Sequence, residues 1–234
     1  MLDREEIEAH FARGVSELVR CSEFVAVESG EASRDEYDRL IANIIRSHLH
    51  SPQLVAFLFA LAPPGAKDNV EGNLLEELGQ GSEGEPSHPA LLVRLAAAAG
   101  LNIESIDDLS ASDLRNIVVE PLLFATLREA GLSALVQVSA FEWMLSRTAG
   151  RLGRALSTHR GLSDEALEWF ALHSEVDIRH AEEALDSILE YVRAYDFEDD
   201  EARTLIEMAL RENLFIKRYF GELALARVRL GPSP

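Results

Sequence analysis

Two histidines and one aspartate in the segment HSEVDIRH, residues 173–180, have a spacing that could create a metal site. An α-helix turns by about 100° per residue, so His173, Asp177 and His180 fall within an arc of roughly 60° on one face. Trp169 lies on the same face, which predicts that this face points inward. Imidazole and carboxylate groups there could bind a divalent iron, manganese or zinc ion. A solvated face, or histidines bonded to neighbouring helices, is the alternative.

Two other segments supply further candidate ligands. Glu142 is a lone acid in the apolar run SAFEWMLS, where an ion pair with Arg147 or Arg151 is the alternative. Glu77 ends one predicted helix and His88 begins the next, where a solvated acid and a capping histidine are the alternative. Such a set could hold two divalent ions and leave positions open for water, dioxygen or substrate. The complete candidate set is Glu77, His88, Glu142, His173, Asp177 and His180.

These residues resemble the haem-oxygenase-like diiron oxidases and oxygenases, a family also described as iron-containing redox enzymes. The family's first signature is an asparagine-started segment with two adjacent acids, a glycine and a downstream histidine, matched here by Asn73, Glu76–Glu77, Gly79 and His88–Pro89. In the family the second acid is the ligand, which assigns Glu77 instead of Glu76. Glu142 follows at the family's usual separation, and HSEVDIRH supplies the last three ligands. The resemblance covers about residues 35–225.

The resemblance implies an all-α, haem-oxygenase-like bundle of seven to eight helices without haem. It also implies an enzyme with two Fe(II) ions as cofactor and dioxygen as co-substrate. We expect this enzyme to oxidise a small organic substrate, such as an amino acid or other carboxylate, in biosynthesis. Because relatives are often dimers, we expect a homodimer. The identity of the metal, iron or manganese, and the outcome of the oxidation stay open.

Three residues are candidates for a substrate pocket. Arg46 could anchor a substrate carboxylate, although an ion pair with an acidic residue explains it equally well. Phe141 and Trp169 could line the pocket, although aromatic residues at helical spacing are also typical of an ordinary core.

Two alternatives to this activity remain. One branch of the family forms p-aminobenzoate and consumes its own tyrosine and a lysine near the metal site. This chain has no lysine between Lys67 and Lys217, so we expect an external substrate instead. The other alternative is a non-catalytic helical metal-binding or interaction protein on the same fold. Anaerobic loading with ferrous iron would separate an enzyme from such a protein.

Helices must position these side chains, because apolar residues recur at spacings of three and four and strand-like alternation is scarce. Glycine, proline and serine residues mark the breaks between helices, and Gly131 is one of them. No repeat or long linker is visible, so we expect one domain over residues 1–234. The predicted helices cover residues 3–20, 33–61, 66–79, 88–99, 110–130, 132–157, 163–194 and 198–229.

Composition excludes several classes of function. The net charge of −19 and the lack of a basic patch argue against binding to nucleic acid or to an anionic membrane. The longest apolar stretches are too short to cross a bilayer, and the acidic N-terminal segment is unlike a signal peptide. Cys21 is the only cysteine, which excludes an intramolecular disulfide and fits a reducing cytosol. We therefore expect a cytoplasmic protein with a small-molecule substrate.

Overall fold

A computed structural model describes residues 2–81, 84–119, 126–211 and 214–230, without the side chains of residues 116–119, 175–178, 214 and 230. The described residues contain helices and no strand, which confirms the predicted all-α class. None of the described helices is both long and apolar enough to pass through a membrane. A π-helical turn, Leu156–Arg160, follows α8. The helices are α1 (Arg4–Arg20), α2 (Ser22–Ser29), α3 (Arg34–His48), α4 (Ser51–Leu61), α5 (Lys67–Glu77), α6 (His88–Ala99), α7 (Ile103–Val119), α8 (Leu127–Ala155), α9 (Glu168–Ala194), α10 (Asp199–Leu210), α11 (Leu214–Phe220) and α12 (Glu222–Leu230).

Capping residues fix several helix starts. Ser33 and Thr126 each form a capping box with the glutamate three residues later, which satisfies backbone N–H groups that have no partner within the helix. Ser87 accepts a hydrogen bond from Ala90 N and caps α6, with Pro89 in the first turn. This cap matters for function because His88 is the first residue of α6.

Several predicted boundaries are wrong. The predicted helix 33–61 is two helices that separate at residues 49–50, and the predicted helix 198–229 is divided into α10, α11 and α12. The predicted break at Gly131 does not exist, since Gly131 is buried inside α8. A Cβ atom there would lie 2.0 Å from the hydroxyl oxygen of Tyr191. Gly131 therefore permits a close approach of α8 and α9, and it does not end a helix.

The two longest described helices, α8 and α9, pack along each other as a central pair, and α1, α2, α4, α5, α6 and α10 pack against one or both of them. The interior between them is filled by large side chains, among which Trp143 and Trp169 are almost fully buried. A Cβ atom on Gly153 of α8 would lie 3.1 Å from the Cβ atom of Phe170 on α9, so the helices also approach closely at this level. This central pair carries three of the described candidate ligands.

His48, at the end of α3, is buried within an aromatic cluster next to the central pair. Its Nε2 atom lies 2.7 Å from the Tyr219 hydroxyl, and its ring packs against Phe141 and Trp169 at centroid distances of 5.2 Å and 5.1 Å. Burial lowers the pKa of His48 to about 3, because the interior disfavours the charged imidazolium. His48 is therefore neutral in the folded protein at neutral pH.

This pKa predicts how stability depends on pH. Between pH 6.5 and about 3 the unfolded chain protonates His48 and the folded chain does not, so stability falls as the pH falls through this window. The double variant His48→Phe, Tyr219→Phe removes the titrating histidine, so the pH dependence that His48 causes disappears. The second substitution removes the Tyr219 hydroxyl, which would otherwise lose its histidine partner. We expect the slope of the free energy of unfolding against pH to decrease by up to about 1.4 kcal/mol per pH unit, the value for one proton.

Urea unfolding of both proteins between pH 4 and 7 measures this slope. The single variant Tyr219→Phe is the control, because it retains the titrating histidine. Equal slopes in the wild type and the double variant would show that His48 does not set the acid sensitivity.

Candidate metal centre

Four helices deliver the described candidate ligands to one interior region. Glu77 is the last residue of α5, His88 is the first of α6, Glu142 lies in the middle of α8, and His173 and His180 lie on α9. The turn that follows α5 depends on Gly79, whose φ of 70° is in the left-handed region. A Cβ atom on Gly79 would lie 2.6 Å from the backbone nitrogen of Ser87, so a larger residue would disturb the segment that begins α6.

The structure brings Glu77, His88 and His173 together as the Glu77 group. One ligand atom from each residue lies within 4.8 Å of the other two, and the residues are only 8%, 5% and 5% exposed. The rings of His88 and His173 have centroids 4.6 Å apart. A carboxylate and two imidazoles at this separation can share one divalent cation.

Hydrogen bonds orient the Glu77 group. His173 Nδ1 lies 2.7 Å from the carbonyl oxygen of Trp169, so Nδ1 carries the proton and Nε2 keeps its lone pair. Glu77 Oε2 accepts a hydrogen bond of 2.5 Å from the Ser51 hydroxyl, which leaves Oε1 toward the histidines. These contacts hold the ring and the carboxylate in orientations suited to metal binding.

His88 tests whether a cation fits this group. Its buried Nδ1 atom lies 3.2 Å from Glu77 Oε1, yet it makes no hydrogen bond with any described residue. A buried nitrogen without a partner is uncommon in folded proteins, and here it faces a carboxylate oxygen. A metal ion between the two atoms would satisfy both, so the residues present fit an iron ion.

Glu142 and His180 lie outside that group, and both line one cleft, so we refer to them as the Glu142 pair. Glu142 Oε1 accepts a hydrogen bond from Asn73 Nδ2, and His180 Nε2 lies 3.1 Å from Glu76 Oε2. Glu76 also pairs with Arg179. The two adjacent acids therefore face different imidazoles, since Glu77 contacts His88 and Glu76 contacts His180.

The side chain of Asp177, the sixth candidate ligand, lies outside the described residues. Arg147 lies over the Trp143 ring and Arg151 pairs with Glu28, so neither arginine pairs with Glu142 in the described structure. The ion-pair alternative for Glu142 is therefore wrong.

Burial dominates the electrostatics of the region. It raises the pKa of Glu142 to about 8, with repulsion from Glu77, Glu183 and Glu76 acting in the same direction and the Asn73 hydrogen bond opposing it. Burial also lowers the pKa of His173 well below its usual range, helped by the nearby His88, and lowers the pKa of His180. At neutral pH the two α9 imidazoles are uncharged, the state in which they bind metals.

The three candidates for the substrate pocket make other contacts. Arg46 forms a two-point ion pair with Asp113 at 2.6 Å and 2.7 Å, the alternative that the sequence left open. Phe141 packs against His48, and the Trp169 ring lies against the His173 ring at a centroid distance of 4.1 Å and an interplanar angle of 35°. The cleft that reaches Glu142 and His180 is lined by other residues.

Sequence reasoning missed three supporting contacts, from Ser51 to Glu77, from Asn73 to Glu142 and from Glu76 to His180. Asn73 and Glu76 belong to the segment quoted for the family resemblance, but their partners lie on other helices. Nothing in the sequence marks Ser51 as a partner of Glu77.

A family model described as iron-containing redox enzyme matches residues 39–214, which is more than half of the chain. The chain belongs to the family of iron-containing redox enzymes. Membership indicates an oxidoreductase that uses iron, and it agrees with the iron fit of the Glu77 group. No curated protein matches this iron-containing redox enzyme.

The fold of this iron-containing redox enzyme is similar to that of a solved structure. A domain of unknown function with a haem oxygenase-like fold, from Shewanella denitrificans, superposes with a TM-score of 0.65 at 15% sequence identity. The match covers 98% of this chain and 93% of that chain. It confirms the predicted haem-oxygenase-like fold.

The pKa of Glu142 predicts a second pH dependence, in the metal-free protein. Between pH 4.5 and about 8 the folded state keeps the Glu142 proton and the unfolded chain does not, so stability falls as the pH rises. Glu142→Gln can still accept the Asn73 hydrogen bond and cannot titrate. We expect the variant to gain stability over the wild type as the pH rises toward 8, as measured by urea unfolding with a chelator present.

The matched control is Glu207→Gln on the exposed side of α10. The same change of charge there should leave the plot of unfolding free energy against pH parallel to that of the wild type. If the curves of the wild type and Glu142→Gln also run parallel from pH 5 to pH 8, the Glu142 carboxyl is not perturbed in the way described.

Proposed function

We propose that the protein is a non-haem diiron oxidase or oxygenase that uses dioxygen to oxidise a small organic substrate. The observation that carries this proposal is the buried Glu77 group with the unpartnered Nδ1 atom of His88. Burying a carboxylate beside two imidazoles is costly without a cation, and family membership identifies iron as the metal to test.

The proposed ligands divide between two iron ions. Glu77, His88 and His173 hold one ion, and Glu142 and His180 contribute to the second, together with Asp177 as the family resemblance implies. When bound, two ferrous ions would supply the electrons that dioxygen activation requires.

The other residues of this region act on the ligands. Trp169 and Ser51 orient His173 and Glu77 through the hydrogen bonds described above. Asn73 holds the Glu142 carboxyl in place, and Glu76 holds His180. Most of these groups are buried or half-buried, so bulk water is largely excluded from the metal ligands.

Anaerobic titration with ferrous iron tests the proposal. We expect about two iron ions per chain in the wild type, and consumption of dioxygen when air is admitted. Replacement of His173 or Glu142 by alanine should lower the bound iron and abolish dioxygen consumption, because each change removes a ligand. Circular dichroism checks that the variants remain helical.

His159→Ala is the matched control, since His159 is an exposed histidine in the π-helical turn and should leave iron binding unchanged. A helical wild-type protein that binds no iron at saturating concentration, or variants that retain wild-type dioxygen consumption, would contradict the proposal. A protein that binds iron without consuming dioxygen would instead support the non-catalytic alternative.

The two adjacent acids are expected to behave differently. Glu77→Ala removes a proposed ligand and should lower iron binding strongly. Glu76→Ala removes a partner of His180 and Arg179 and should leave the iron stoichiometry close to that of the wild type. Iron analysis of both variants after gel filtration measures the bound iron. A larger loss of iron in Glu76→Ala than in Glu77→Ala would identify Glu76, and not Glu77, as the ligand.

A further inference from the structure

A cleft that opens to solvent lies beside the Glu142 pair, between α4, α5, α8 and α9. Its interior volume is about 30 Å³, roughly the space of one water molecule or one ammonium group. Glu142 and His180 form part of its wall. A molecule bound in the cleft would therefore lie directly against the proposed iron ligands.

Each of the two amide groups on the cleft wall uses one of its two N–H groups and leaves its Oδ1 atom open as an acceptor. Asn73 Nδ2 donates to Glu142 Oε1, and Asn69 Nδ2 donates to Ser187 Oγ at 3.5 Å. Within the described part of the chain, no group donates a hydrogen bond to the side-chain Oδ1 atom of either asparagine. A ligand that brings hydrogen-bond donors complements these acceptors.

Ser139 gives independent support for a polar ligand. It is only 1% exposed and lines the cleft, yet its hydroxyl makes no hydrogen bond with a described residue. Buried hydroxyl groups normally have a partner, so this one is suited to a group that enters the cleft.

Glu183 is a half-buried acid on the same wall. Its carboxylate makes no hydrogen bond or ion pair with the residues that the structure describes. Arg179 acts on it electrostatically, but the Arg179 guanidinium donates its hydrogen bond to Glu76. Glu183 is therefore available to pair with a cation from outside.

The rest of the lining offers no cationic side chain to an anion and suits aliphatic carbon. The described residues that line the cleft include no lysine or arginine, so among the side chains a substrate carboxylate would meet Glu183 without a compensating charge, and only the proposed iron ions could bind it. Val55, Leu58 and Val70 form an apolar part of the wall.

We infer that the cleft binds the protonated amine of a small aliphatic substrate, with the ammonium group on Glu183 and Ser139 and the carbon chain leading out of the cleft past the apolar wall of Val55, Leu58 and Val70. This inference rests on the proposed function, since it makes an amine the substrate class of the iron centre. It narrows the sequence-based expectation of an amino acid or other carboxylate to molecules that present an amine.

Isothermal titration with n-butylammonium, butyrate and 1-butanol tests the inference on the full chain loaded anaerobically with ferrous iron. Iron loading prevents the ammonium group from simply taking the place of the metal. We expect butylammonium to bind more tightly than butanol, and any butyrate binding, which the ferrous ions could provide, to be independent of Glu183. Glu183→Gln should weaken butylammonium binding by about tenfold, since a charged hydrogen bond is replaced by a neutral one.

Glu182→Gln is the matched control, because this neighbouring acid on α9 is exposed and pairs with Arg4. It should change butylammonium binding less than twofold. Butanol binding as tight as that of butylammonium, or equal losses in the two variants, would overturn the inference.

The same titrations separate this inference from the proposed function. If iron does not bind but the metal-free chain still binds butylammonium in a way that depends on Glu183, the amine site stands and the diiron proposal falls. If iron binds and dioxygen is consumed while butylammonium binding does not depend on Glu183, the amine inference falls and the diiron proposal stands.

Discussion

The interior of this protein must accommodate carboxylates and imidazoles that are shielded from water. Burial of such groups without compensation is costly, and each needs a hydrogen bond, an opposite charge or a metal ion. The fold supplies some of these partners, as Ser51 does for Glu77 and Trp169 does for His173. It leaves His88 Nδ1 without one beside a carboxylate oxygen. A metal ion would give this nitrogen a partner, and family membership indicates that the metal is iron.

Close approach of the central helices makes this arrangement possible. Gly131 and Gly153 let α8 lie against α9, because a side chain at either position would collide with or press against its neighbour. Gly79 allows the turn that places the start of α6 beside the end of α5. The geometry of the candidate metal centre therefore depends on small residues that take no part in binding.

The sequence predicted features that depend on neighbouring residues of one helix, and the family resemblance predicted which residues are the metal ligands. The spacing of His173 and His180 on one helix predicts an inward face, and both residues are buried. The resemblance assigned Glu77 over Glu76, and the structure places Glu77 in the three-residue group. It could not show that Glu76 contacts His180, because that contact joins α5 to α9 and depends on tertiary packing. Gly131 was misread for a related reason, since glycine both breaks helices and permits helices to touch.

The most direct test of the account is an anomalous difference map at the iron edge. It would be measured on crystals soaked anaerobically with ferrous iron at a concentration that saturates the protein in solution. We expect one iron peak between Glu77, His88 and His173, and a second peak next to Glu142 and His180. Iron bound only at exposed acidic residues, with the buried Glu77 group empty in the same crystal, would contradict it.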